Sequence, residues 1–92
     1  MAHTLEDLTP GTPIFCGDAR IGEVRSLYSE GTSRAVEWVI FGRTEDGQDV
    51  ALPATEVANV NDDGVSLMHD DPKFYADLTV FSEARFPMAH RI

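Results

Sequence analysis

Two places in the chain gather side chains that could do chemistry. Cys16, the only cysteine, closes the short apolar run Pro13-Ile14-Phe15-Cys16. A thiolate nucleophile needs a base within hydrogen-bond reach and a lowered pKa, and no histidine flanks it in the sequence. A cysteine at the end of an apolar strand reads as an inert buried group. No catalytic residue is assigned, and the chain is expected not to be an enzyme. The second place is His69-Asp70-Asp71, with Asp62 and Asp63 across a predicted hairpin. One imidazole and several carboxylates could surround a divalent cation, but hard ions ask for six or more oxygens in fixed geometry. The run Asp62-Asp63-Gly64 also lacks the alternating ligands and distal Glu of a calcium loop. These residues read first as a turn and a helix cap. No metal site and no cofactor are expected; a small-ligand or divalent-metal-responsive corner at His69 to Asp71 is the alternative function.

Other candidates are weaker. Thr44-Glu45-Asp46-Gly47 is a hairpin turn. Gly11, Gly17 and Gly22 are not followed by the Lys-Ser/Thr and helix of a phosphate loop. His3 and His90 sit near the termini with no partner spacing.

Composition bounds what such residues could serve. A chain of 92 residues reads as one domain, burying roughly 60–65% of its unfolded surface. Sixteen acidic residues against seven basic ones give a net charge of −9, a field that repels phosphate backbones and anionic lipid. The basic residues are scattered, so no direct nucleic-acid or membrane partner is expected. A lone cysteine excludes an internal disulfide and a multi-thiolate zinc site. No signal segment and no apolar run near 18 residues is visible, so a cytoplasmic location is the expectation.

The elements that must position these residues are short strands. Residues 13–16 and 21–29 form the first two, joined by the reversal 17–20, and Gly22 inside the second marks a bulge or sharp bend. Residues 30–33 are a turn cluster. Residues 35–42 are the strongest strand, rich in β-branched and aromatic side chains. Val36, Trp38 and Ile40 fall on one of its faces, Val39 and Phe41 on the other, and both faces should be covered. Trp38 is expected in the core. Val50 and Leu52 alternate on a strand ending at Pro53; residues 54–60 suit a helical turn or a strand. Asn61-Asp62-Asp63-Gly64 is a hairpin signal leading into the strand 65–68. Asp71 as cap and Pro72 at the first position predict one helix over residues 72–78, with Phe74, Tyr75 and Leu78 as its apolar face.

Five or six short strands, tight turns and one late helix describe a small, mostly antiparallel β-barrel. Here the sequence resembles the PRC-barrel family, which includes domains of the photosynthetic reaction centre H subunit and of a ribosome maturation factor. The likeness runs through Gly11-x-Pro13-Ile14-Phe15, Asp18, Ile21-Gly22-Glu23-Val24, Trp38 to Phe41, Val50-Ala51-Leu52-Pro53, Val57-x-x-Val60 and Asp62-Asp63-Gly64-Val65. It covers roughly residues 10–69 of a single domain at 1–92, with a core at about 10–78 and a tail at 79–92. The resemblance implies a PRC-type barrel and a docking module without shared catalytic residues, often dimeric. The tail adds Phe81, Phe86, Met88 and Ile92 without strand or helix period. Left in water they would make an apolar patch that monomers seldom tolerate. The expected protein interface is therefore Val39, Phe41, Phe81, Phe86 and Met88, serving a homodimer or a protein partner such as a ribosomal protein or another assembly factor.

Overall fold

The computed structural model describes residues 5–31, 35–82 and 84–91. The end of the predicted 30–33 turn, together with His3 and Ile92, lies outside them. Among the described residues, seven strands form one mixed sheet: β1 (Pro13–Cys16), β2 (Ala19–Glu30), β3 (Trp38–Arg43), β4 (Asp49–Pro53), β5 (Val57–Asn61), β6 (Gly64–Leu67) and β7 (Ala89–Arg91). The order is β4-β3-β2-β1-β6-β5, with β7 paired to β2. Every pairing is antiparallel except β1 with β6, where Ile14 faces Val65 and Phe15 faces Ser66 in parallel. The sheet is mostly antiparallel, as expected, but open: β4 and β5 end the path and do not pair with each other.

The sheet is bent by insertions in β2, the strand that Gly22 singled out. Ile14 pairs with Gly22 and Phe15 with Arg20, leaving Ile21 as an extra residue. Val24 pairs with Phe41 and Ser26 with Ile40, leaving Arg25 as a second. A bulge bends its strand and raises the local twist. The second one also changes which residues point inward: Gly22 and Val24 are buried before it, Leu27 and Ser29 after it. Gly22 is needed where the bend brings β2 onto β3, because a Cβ there would lie 2.5 Å from both the Gly42 carbonyl oxygen and the Phe41 ring. The curled strands share one core, in which Ile14, Val24, Val39, Phe41, Val50, Leu52 and Val65 are almost wholly buried.

The strand β3 is covered on both faces, with the faces reversed from expectation. Val39 and Phe41 point into the core at 0% exposure. Trp38 is half-buried on the opposite side, where its ring meets Phe86 edge-on at 5.1 Å. With both rows apolar, strand alternation separates the faces without saying which is inner.

The predicted helix over 72–78 is a single 3-10 turn, Pro72–Tyr75. Asp71 caps it as expected, its Oδ1 accepting the Lys73 N–H at 3.0 Å. The turn stops early because the chain beyond it serves as an edge strand. The Ala51 N–H donates to the Thr79 carbonyl and the Phe81 N–H to the Asp49 carbonyl, each at 2.9 Å, around a Val50–Val80 bridge. Residues 54–60, open between helix and strand, resolve into a 3-10 turn (Ala54–Glu56) followed by β5.

The reversed faces are testable. Phe41→Ala should cost about 3–5 kcal/mol, as for a buried ring. Trp38→Ala, which removes a half-buried ring, should cost about 1–3 kcal/mol. Urea unfolding of the two variants decides; a larger loss at Trp38 would put its ring back in the core.

Candidate functional site

The loop after β6 gathers most of the residues with chemical potential. Cys16 ends β1 directly beneath it, buried, and its Sγ donates to the His69 carbonyl at 3.0 Å. Burial pushes the thiol pKa up, and the Asp70 and Asp71 carboxylates push it further in the same direction. The side chain is thus a latch between β1 and the loop, held in its un-nucleophilic form. On the other side of the loop, the His69 N–H donates to the hydroxyl of buried Tyr75 at 3.1 Å. Burial raises the Tyr75 pKa, keeping that hydroxyl neutral.

The His69 ring lies flat on Phe74, with centroids 4.1 Å apart and planes 10° apart. Its Nε2 stands 4.0 Å from Glu56 Oε1. The carboxylates from the hairpin do not join it. Asp62 and Asp63 sit at the β5–β6 tip, where Asn61 Oδ1 accepts the Asp63 N–H at 2.8 Å. The length of β6 alone, about 10 Å at strand rise, separates them from His69. Among the described residues, no three His, Cys, Asp or Glu side chains converge to hold a metal ion.

The Thr44–Gly47 turn is built around an ion pair. Arg43 Nε and Nη2 grip Asp46 Oδ1 and Oδ2 at 3.0 and 2.5 Å, and the Gln48 N–H donates to Oδ1 at 3.0 Å. The Arg43 guanidinium holds the Asp46 pKa down to about 2. Arg43 also donates from Nη1 to the Ala76 carbonyl at 3.2 Å, tying the hairpin to the turn that carries Phe74 and Tyr75. Between them lies an apolar cleft of about 360 Å³ floored by Ile21, Phe41 and Tyr75, with Arg20, Arg43 and Glu45 as its charged lining. Among the described residues that line it, none is a nucleophile paired with a base.

The expected interface residues separate into two groups. Val39 and Phe41 are fully buried and present no surface, which corrects that part of the expectation. Phe81 and Phe86 are half-buried, packed on their own domain: Phe81 on Tyr28 at 4.6 Å, Phe86 on Trp38, and the two on each other at 5.4 Å. Met88 is 66% exposed. The surface that sequence reasoning missed is Phe74, 61% exposed and stacked on His69, whose chain neighbour Met68 is 58% exposed. Two signals pointed to it. The single 3-10 turn Pro72–Tyr75 buries Tyr75 and so turns its neighbour Phe74 to another side. Strand alternation from buried Val65 and Leu67 turns Met68 outward. Glu56 stands by the His69 ring, Asp70 and Asp71 follow His69 in the chain, and Lys73 is on the turn itself.

No family model, curated protein or solved structure matches this chain. Among the described residues no helix is long and apolar enough to cross a membrane.

Two outcomes follow from these contacts. Alkylation of Cys16 at pH 8 should run roughly two orders of magnitude slower in the native protein than in the unfolded chain; equal rates would show an open thiol. The Asp46 pKa is depressed on folding, so its contribution to stability is present above the ordinary carboxyl value of 3.8 and lost as pH falls towards about 2. Asp46→Asn should flatten the stability–pH curve in that window, and an unchanged acid limb would show the pair to be inert.

Proposed function

We propose that this chain is a non-enzymatic interaction module of the PRC-barrel type, which docks on a protein partner and pairs with a second copy of itself. The observation that carries the reading is the Phe74 corner. A large aromatic side chain stands in water on a turn whose neighbour Tyr75 is fixed in the core. The His69 ring lies flat on it, Glu56 stands near that ring, and Asp70 and Asp71 follow His69 in the chain. An apolar centre with a charged border has the anatomy of a protein-binding spot, with the aromatic residue as its anchor. The net charge of −9 selects a basic partner segment and disfavours nucleic acid or anionic lipid. A basic ribosomal protein, or another assembly factor, in the cytoplasm fits that chemistry.

The barrel part of the reading draws on the curled sheet. Strands β1 to β6 follow the order of the segments that resemble the family, and the bulged β2 with Gly22 falls on the Ile21-Gly22-Glu23-Val24 segment. Side chains from both halves of the sheet enter one core, as barrel strands do.

The corner is tested with synthetic peptides, one placing Lys and Arg around a Trp-Leu anchor and one with the charges reversed to Glu. The basic peptide should bind and weaken at high salt, while the acidic one should not bind. Phe74→Ser should weaken binding about tenfold or more and leave stability within about 0.5 kcal/mol, as for an exposed position. Binding that ignores peptide charge, or survives Phe74→Ser unchanged, would overturn the reading of this corner.

A further inference from the structure

The two ends of the sheet are finished differently. The edge of β4 is closed by residues 79–81, through the Thr79 carbonyl and the Phe81 N–H. The edge of β5 is bare. Among the described residues β5 pairs with β6 alone, and outside that ladder no backbone hydrogen bond reaches residues 58–61. Alternate residues of such a strand turn N–H and C=O groups away from their neighbour, a template on which another chain can pair. Natural edges are blunted by Pro, charge, a bulge or cover. The strand Val57-Ala58-Asn59-Val60-Asn61 carries no Pro and no charge. Its one irregularity is the extra residue Ala58 near its start, and Ala58, Asn59 and Asn61 are exposed.

This strand begins at the Phe74 corner. Just before it, the Glu56 carbonyl accepts the Met68 N–H at 2.8 Å. Glu56 Oε1 stands 4.0 Å from Nε2 of His69, whose ring is stacked on Phe74. Acid marks both ends of the strand, with Glu56 before it and Asp62-Asp63 after it. Two copies joined antiparallel through β5 would bring the acidic start of one strand against the acidic end of the other, and facing like charges oppose pairing. A basic segment meets the opposite sign at both ends.

We propose that the β5 edge receives an extended basic segment of a partner protein, which adds to the sheet as an antiparallel strand and lays its apolar anchor on Phe74. The inference rests on the reading of the Phe74 corner and extends that contact along about 17 Å of strand. Backbone pairing supplies affinity with little regard to side chains, while the acidic ends and Phe74 select the charge and the anchor. In antiparallel order the last residues of the segment lie beside Glu56, so the anchor belongs at its C-terminal end.

The probe is a synthetic peptide with Lys at its start, alternating Val and Thr in its middle and Trp-Leu-Arg at its end. It should bind the full natural chain and slow amide exchange at the β5 residues whose N–H groups face away from β6. N-methylation removes backbone donors while keeping side chains and charge. Placed on one alternating set of middle residues it should weaken binding about tenfold or more, and on the other set it should do little. Asp63→Lys, at the far end of β5 from Phe74, should weaken binding several-fold, with the thermal midpoint as the check that the variant folds. Binding that is lost in Phe74→Ser but ignores both methylated sets, with no exchange protection in β5, overturns strand addition and leaves the corner standing. Protection of β5 with binding unchanged in Phe74→Ser removes the anchor and overturns the proposal together with the corner. A peptide that does not bind at all also overturns both.

Discussion

The close approach of β2 to β3 at Gly22 is the constraint on which the rest of this structure depends. There is no room for a Cβ between the two backbones and the Phe41 ring, so the sheet can fold over only where a glycine sits. The extra residues Ile21 and Arg25 supply the bend on either side. Because β2 turns, β1 and β6 can face β3 and β4 across a common core instead of extending a flat sheet. A flat six-stranded sheet of such short strands would leave an apolar face wet, and a chain of this size has little other apolar surface with which to compensate.

The same bend creates a second, outer problem, which the tail solves. After Arg25 the inward set moves to Leu27 and Ser29, which turns Tyr28 outward next to Trp38. That outward row is apolar, and without the tail the neighbouring edge of β4 would have unpaired backbone groups at Asp49 and Ala51. A wet edge beside exposed aromatics invites uncontrolled strand pairing. Residues 79–81 close the edge, and Phe81 and Phe86 cover the rings. The lack of a regular period in the tail follows from this. It is neither a helix nor a full strand but two short edge pairings with an aromatic span between them, so its spacing answers to the surface beneath it.

How much of this was legible in the sequence depends on whether a residue's role is local. Gly22 as a bend, Asp71 as a cap and Asn61 to Gly64 as a hairpin were readable because turn and cap chemistry is decided within a few residues. The inner face of β3 was not readable. Val39/Phe41 and Trp38/Ile40 are both apolar rows, and the choice between them is made by β2 bulges whose pairing is long-range. The helix over 72–78 was overestimated for a related reason: propensity favoured continuation past Tyr75, but Thr79 to Phe81 gain more by closing the β4 edge. At the candidate site, burial of Cys16 was expected from its strand, while its bond to the His69 carbonyl depends on a contact 53 residues away in sequence.

That contact also explains why titratable side chains cluster at a corner without a catalytic arrangement. A loop that leaves a buried strand must satisfy its backbone groups. Here the His69 carbonyl is met by the Cys16 thiol and the His69 N–H by the Tyr75 hydroxyl. Both partners are buried and both are held in their neutral, hydrogen-bonding forms by that burial. The loop is therefore clamped from β1 on one side and from the 3-10 turn on the other, while Asp71 fixes the start of that turn. Phe74 projects from the clamped segment and stacks on His69, whose backbone is held at both polar groups. A free apolar side chain on a loose loop would find cover against its own domain. This one is kept at the surface by the anchoring of its neighbours, and an anchor fixed in advance loses less entropy when a partner closes over it.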